Sequence, residues 1–178
     1  DPRHQAFSDI KLAASLPKLR NDTVTVNLDQ LSLREQSGLD VRSLRANVLY
    51  TPTRLAVKSF DLMLPQSHIA MADIALGYKN PKEIAKAITD GNIRVATEGE
   101  NYITPADLAP FVPALKNIPG RHYLSIDVTG NRDRLNIGEL KIENPQNGLL
   151  ADITGALSGL SHGADSISAK DLAVRLRL

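Results

Sequence analysis

A short spacing of apolar residues recurs five times along this chain and constrains its fold more than any other feature. Each copy has two apolar residues in alternation, a two-residue gap, and then further apolar residues in alternation. The copies are Val26-x-Leu28-x-x-Leu31-x-Leu33, Leu39-x-Val41-x-x-Leu44-x-Ala46-x-Val48, Leu55-x-Val57-x-x-Phe60-x-Leu62-x-Leu64, Ile69-x-Met71-x-x-Ile74-x-Leu76-x-Tyr78 and Leu135-x-Ile137-x-x-Leu140-x-Ile142. Alternation is typical of a strand with one apolar face, and the gap moves that face to the other side unless the backbone corrects it. Each gap therefore predicts a β-bulge or a tight corner.

Turn signals divide the chain into two β regions with a different segment between them. Proline, glycine and Asx residues interrupt the alternation at positions 16–17, 37–38, 51–53, 65–67 and 144–148. Residues 1–79 and 121–178 are predicted to form β repeats, and residues 80–120 a capping or plugging insert. The alternation Leu172, Val174, Leu176, Leu178 runs to the last residue without a closing turn. Because this would leave an open sheet edge, we expect the chain to be a segment of a longer repeat array.

The middle segment carries two helix-start signals, Asn80-Pro81-Lys82-Glu83 and Thr104-Pro105-Ala106-Asp107. Apolar residues at helical spacing follow each of them: Ile84, Ala87 and Ile88 after the first, and Leu108, Phe111, Val112 and Leu115 after the second. Pro110 and Pro113 interrupt the second pattern, so we expect a broken helix there. Between the two signals, residues 92–97 are predicted to form a strand.

Composition excludes several classes of function. The chain has no cysteine, which removes disulfides, thiolate catalysis and cysteine-ligated zinc. The 21 basic and 20 acidic residues are spread along the length, so we expect no nucleic-acid partner. Aromatic residues make up only 4%, which disfavours surfaces that stack bases or sugars. No apolar run reaches the length of about 18 residues that a membrane span needs.

Residues that could carry chemistry do not form a recognisable site. Ser161, His162 and Asp165 lie close in sequence, but glycines and small polar residues surround them and a surface loop is the simpler interpretation. The remaining histidines, His4, His68 and His122, lack the spacing of metal ligands. We predict no catalytic residue, no metal site and no cofactor, and therefore no enzyme.

The continuous apolar face leaves two interpretations open. It is either buried against a second layer as an ordinary β core or left open on a curled sheet that binds acyl chains. Burial gains about 25 cal/mol per Å² in both cases, because an acyl chain and a leucine side chain are chemically alike. Spacing alone does not separate the two.

Several stretches of the chain resemble the AsmA-like superfamily. They are residues 24–41, the paired strand blocks up to residue 78, residues 102–115 and the strand-plus-glycine stretches 124–130, 135–142 and 149–160. The most specific of them is 102–115, in which six residues match a stretch that recurs between β blocks in that family: Ile103, Thr104, Asp107, Leu108, Phe111 and Pro113.

This resemblance implies a mainly β fold, a bent amphipathic antiparallel sheet curled into a taco-like β-groove with one or two short helices in the middle. It also implies an internal segment of a periplasmic protein anchored in the inner membrane, with phospholipid or an outer-membrane assembly protein as partner. We expect a non-enzymatic conduit for phospholipid; the alternative is a structural scaffold with a filled core that takes part in outer-membrane protein assembly. The residues predicted to line the groove each lie in the apolar phase of their strand: Val48, Leu55, Val57, Leu62, Ile69, Ile74, Leu76, Ile93, Val95, Leu124, Ile126 and Val128.

Overall fold

A computed structural model describes residues 7–20, 22–35, 38–84, 86–87, 91–162 and 166–178 and is mainly β, with 66% of residues in strands. The strands are β1 (Phe7–Arg20), β2 (Thr23–Glu35), β3 (Asp40–Thr51), β4 (Arg54–Met63), β5 (His68–Gly77), β6 (Asn92–Thr97), β7 (Tyr102–Ile103), β8 (His122–Gly130), β9 (Arg134–Asn144), β10 (Leu149–Ser158) and β11 (Ser168–Arg177). They form one sheet in the order β1-β2-β3-β4-β5-β6-β8-β9-β10-β11, and the short β7 pairs with β5 and β8. Every pairing is antiparallel. The predicted mainly β class is confirmed.

All five gaps in the apolar spacing coincide with breaks in strand register. Between Leu28 and Leu31, β2 advances one residue more than its partner β3. In β4 the extra residue lies between Lys58 and Asp61, where Ser59 has a φ of 53°. The other three breaks fall at positions 41–44, 71–73 and 137–140. An extra residue restores the phase of the side chains, so the prediction of a bulge or corner at each gap is confirmed.

The register divides the sheet into two chemically different faces. The apolar face carries the predicted lining residues, and the polar face carries the residues that alternate with them. On the polar face, the Asp73 carboxylate oxygen Oδ2 lies 2.8 Å from Lys58 Nζ, 3.4 Å from Arg54 Nη2 and 3.7 Å from Arg94 Nε. Long charged side chains can cover small neighbours with their alkyl stems, and Ala56, between Arg54 and Lys58 on this face, is completely buried.

The short helices predicted for the middle segment are not confirmed: the described residues there form 3₁₀ turns, and they include no helix of seven or more residues. At the first signal a 3₁₀ turn, Pro81–Glu83, is capped by Asn80, whose side chain accepts a hydrogen bond from Lys82 N and donates one to Glu83 Oε1. Ile84 and Ala87 follow in helical conformation, and Ile88 lies outside the described residues. At the second signal there are two 3₁₀ turns, Pro105–Leu108 and Pro113–Asn117. The predicted apolar helix face is not assembled, and Phe111 is 62% exposed.

The residues of the second signal instead form hydrogen bonds that hold their segment to the β4–β5 turn. The Asp107 carboxylate oxygen Oδ2 accepts hydrogen bonds from Gln66 N at 2.8 Å and from Ser67 Oγ at 2.7 Å. The Thr104 hydroxyl donates to the Gln66 carbonyl at 2.8 Å, and Thr104 N donates to Ser67 Oγ at 2.9 Å. Since Ser67 is only 2% exposed, the two bonds that its hydroxyl makes are largely shielded from water. They fix the segment after β7 at one end of the sheet.

Candidate functional site

The predicted lining residues form continuous ladders across neighbouring strands of the apolar face. One ladder crosses five strands, from β3 to β8, and every member is a predicted lining residue: Val48, Val57, Ile74, Val95 and Val128. A second ladder, Leu55, Leu76 and Ile93, runs beside it, and Leu62 pairs with Ile69. Leu124 and Ile126 pair with apolar residues of β9, Ile142 and Leu140. Directly opposed side chains in a sheet lie close enough to pack, so the ladders form one contiguous apolar surface.

This apolar surface is uncovered over most of its extent. All twelve predicted lining residues are half-buried, neither enclosed nor freely exposed. A side chain in the interior of a wide sheet is flanked by two strands, and a packed second layer would remove most of its remaining exposure. Partial exposure of every member therefore indicates that no second layer covers these residues in the described part of the chain. Ile137, which lies outside the predicted set and pairs with Val128, is more enclosed, at 8% exposure.

Six of the twelve residues enclose a shallow apolar depression of about 220 Å³ on this face. They are Leu55, Val57, Ile74, Leu76, Ile93 and Val95, contributed in pairs by β4, β5 and β6, and Ala75 completes the lining. The surface of the depression is almost entirely hydrocarbon. Of the other six predicted residues, Val48 and Val128 continue the five-strand ladder beyond the depression, and the remaining four belong to the separate pairs described above. The depression can accept a flexible hydrocarbon group, and it offers no polar group to orient a reacting one.

Residues absent from the predicted set extend the same surface toward both edges of the sheet. Val26 in β2 pairs with Val48, and Ile137 in β9 pairs with Val128. Ile153 in β10 pairs with Leu140 and also with Val174 in β11. Their signal was present in the sequence, since Val26 and Ile137 lie within copies of the repeated spacing. The apolar surface therefore spans the sheet from β2 to β11.

Ser161 and His162 meet an aspartate from a distant turn, while Asp165 lies outside the described residues. The Ser161 hydroxyl donates to Asp133 Oδ1 at 2.8 Å, and His162 Nδ1 lies 3.2 Å from the same oxygen. The hydrogen bond from Ser161, together with the nearby His162, lowers the pKa of Asp133 below its usual value. In a catalytic triad the serine and the aspartate bind opposite nitrogens of the imidazole. Here both contact Nδ1, with Ser161 Oγ at 3.1 Å, so this arrangement links two turns and has no relay geometry.

Two absences among the described residues bear on the site. No group of three or more histidine, cysteine, aspartate or glutamate side chains there is placed to hold a metal ion. None of the helices among these residues combines the length and the hydropathy that a membrane-spanning helix requires.

Comparison of the chain with models of protein families, with curated proteins and with solved structures found no match.

Proposed function

We propose that these residues are a segment of a non-enzymatic lipid-transfer conduit, in which the apolar face shields phospholipid acyl chains between two membranes. In this proposal the sheet curls into a taco-like groove, the acyl chains lie along the ladders, and the headgroups stay at the solvated rim. Transfer is passive sliding along the groove, because a uniform hydrocarbon lining gives each position a similar affinity for the chains.

The observation that carries the proposal is the five-strand ladder from Val48 to Val128 with its partial exposure. A contiguous apolar surface left in contact with water is costly, at about 25 cal/mol per Å², and on soluble proteins a large patch of this kind usually marks an interaction site. The depression lined by β4, β5 and β6 has a volume of about 220 Å³ and an almost entirely hydrocarbon surface, which suits a chain of methylene groups.

The resemblance of residues 102–115 and of the strand blocks to the AsmA-like superfamily supports the same proposal, with the translocation and assembly module subunit TamB as the member most similar in these motifs. It adds the setting: the periplasm of a bacterium with two membranes, within a longer protein anchored in the inner membrane. In that setting the chain is an internal groove segment, and phospholipid is its cargo.

The proposal is tested by native mass spectrometry of the purified chain, combined with extraction and identification of bound lipid. The wild type is expected to carry phospholipid or to take it up when it is offered. A triple variant, Val57→Asp, Ile74→Asp and Val95→Asp, places three carboxylates in the depression. It is expected to lose bound lipid, because carboxylates and hydrocarbon are incompatible neighbours.

A matched control carries the same added charge elsewhere. Thr53→Asp, Ser59→Asp and Asn136→Asp change three exposed neutral residues outside the depression, and this triple variant should retain lipid. Circular dichroism of both variants separates loss of binding from loss of fold. A folded groove variant that binds as much lipid as the control would refute the conduit.

A second candidate function, a structural scaffold for outer-membrane protein assembly, is favoured by the two outer strands. β1 and β11 each pair with a single neighbour, and every residue of β11 is exposed. An open sheet edge can add a strand from a partner protein. A lipid-free, well-folded chain that takes up no lipid would favour this scaffold over the conduit.

A further inference from the structure

A polar cleft of about 460 Å³ lies at the end of the sheet where the middle segment is fastened. Four separate parts of the chain line it: Gln66 in the β4–β5 turn, Thr104 after β7, Arg121 just before β8 with Tyr123 in β8, and Gln146 in the β9–β10 turn. Gly120 and Pro145 complete the wall. Tyr123 pairs with Glu143, two positions from the Lys141–Ser125 pair of the polar face. The cleft is therefore a separate feature from the apolar depression, with which it shares no residue.

Two of the three most deeply buried polar side chains of the described residues, Asn144 and Ser67, hold these lining segments in place. Asn144 is 1% exposed; its side chain donates to the Pro119 carbonyl and accepts a hydrogen bond from Gln146 N at 3.0 Å. Ser67 is 2% exposed and, with Asp107, joins the β4–β5 turn to Thr104. A sheet with so few enclosed residues thus places two of its three most deeply buried polar side chains around this cleft. Such support preorganises a binding site.

The charge within the cleft is that of a single arginine. Arg121 has no ion pair with a carboxylate among the described residues, and the other lining residues are uncharged. Its guanidinium carbon lies 4.5 Å from the centre of the Tyr102 ring. A cation–π contact of this kind uses none of the guanidinium N–H groups as conventional hydrogen-bond donors, so they can still donate to a ligand. The fork they form matches two oxygens of a phosphate or carboxylate.

We propose that this cleft is a binding site for an oxyanion of the phosphate class. The Arg121 guanidinium binds two oxygens, and the Tyr123 hydroxyl and the side-chain amides of Gln66 and Gln146 supply the neighbouring donors. The site accepts either a free phosphate compound or the phosphate of a lipid headgroup, since both present the same oxygens. It does not depend on the conduit function.

The test is a titration of the isotope-labelled full chain with inorganic phosphate at constant ionic strength, followed by backbone amide NMR. Saturable shifts are expected at residues 66, 104, 120–123 and 146. Arg121→Ala is expected to weaken binding at least tenfold, and Arg121→Lys to keep part of it, because lysine retains the charge without the fork. The control Arg45→Ala removes an exposed arginine of β3 and should leave the titration unchanged.

A second variant, at a different residue of the cleft, tests the site without altering Arg121 itself. Gln146 is exposed, and Gln146→Glu adds a carboxylate to the cleft, which should abolish phosphate binding while the spectrum elsewhere stays the same. Shifts that rise without saturation, or that persist in both the Arg121→Ala and Gln146→Glu variants, would overturn the proposal.

Vesicles identify the source of the oxyanion. If it is a headgroup, the wild type sediments with vesicles of phosphatidylglycerol in phosphatidylcholine, and the Arg121→Ala variant stays in the supernatant. If it is a free compound, inorganic phosphate titrates the cleft while sedimentation is independent of Arg121. Either result supports an oxyanion site. The aspartate variant of the apolar depression should titrate normally with phosphate, so failure of the conduit and failure of this site are distinguishable.

Discussion

Two isoleucines on the apolar face provide a direct measure of whether that face is open. Ile74 is half-buried within the depression, whereas Ile137 is 8% exposed and lies opposite Gly155 and Val128. Changing either to alanine removes the same methyl and methylene groups from the same kind of strand. Because the two substitutions remove the same groups, a difference between their losses in unfolding free energy reports how far the surrounding protein encloses each side chain.

The expected loss of unfolding free energy at each site follows from how far its side chain is enclosed. The lost groups are worth about 2.4 kcal/mol when fully buried, at about 0.8 kcal/mol each. At Ile137 an enclosed cavity adds to this loss, so Ile137→Ala should lower the free energy of unfolding by about 3–4 kcal/mol. At Ile74 the vacated space opens to solvent and part of the side chain is already exposed, so Ile74→Ala should cost only about 1–2 kcal/mol.

Urea unfolding of the lipid-free wild type and the two variants measures both costs. The comparison is valid when the urea dependence of the unfolding free energy, the m-value, is the same in all three proteins. Equal losses at the two sites, or a loss above about 3 kcal/mol at Ile74, would show that Ile74 is as enclosed as Ile137. The inference that the apolar face is uncovered would then be wrong, and the conduit proposal would lose its basis.

Two further predictions concern charged groups. Asp73→Asn should lower the free energy of unfolding by about 1–3 kcal/mol, since three cationic side chains, Lys58 nearest at 2.8 Å, lose their shared carboxylate; urea unfolding should show a smaller loss at high salt. The Asp133 carboxyl should titrate below its ordinary pKa in carbon-detected NMR, and Ser161→Ala should raise that pKa. Because the folded pKa is depressed, the contact with Ser161 and His162 stabilises the fold above the unfolded pKa of about 4 and is lost as pH falls through the folded pKa. If the midpoint of the Asp133 titration did not change in the Ser161→Ala variant, the assigned cause of the lowered pKa would be contradicted.

The strand positions and their corrections could be predicted because both depend on local periodicity. Every gap in the apolar spacing marks a place where the backbone must gain a residue or lose its apolar face, and there is no third option in a paired sheet. Ser59 illustrates the correction, with a φ of 53° in the middle of β4. The extension of the apolar surface to Ile153 and Val174 depends on register between strands, which periodicity within a strand leaves undetermined.

The middle segment shows where local sequence signals fail. The same type of side chain can form hydrogen bonds either with the adjacent backbone or with a segment that is distant in the sequence. Asn80 and Glu83 bond to each other and to the adjacent backbone, as a helix-start signal predicts. Thr104 and Asp107 have the same spacing, yet Asp107 binds Gln66 and Ser67, about 40 residues away. A carboxylate near a turn accepts the nearest donors that folding supplies, and the β4–β5 turn supplies a backbone amide and a buried hydroxyl that a solvated helix end does not. Prolines at 110 and 113 also remove hydrogen bonds that would have made the helix competitive. The long-range bonds thus prevail over the local cap, and by fastening this segment to the end of the sheet they create the wall of the polar cleft around Arg121.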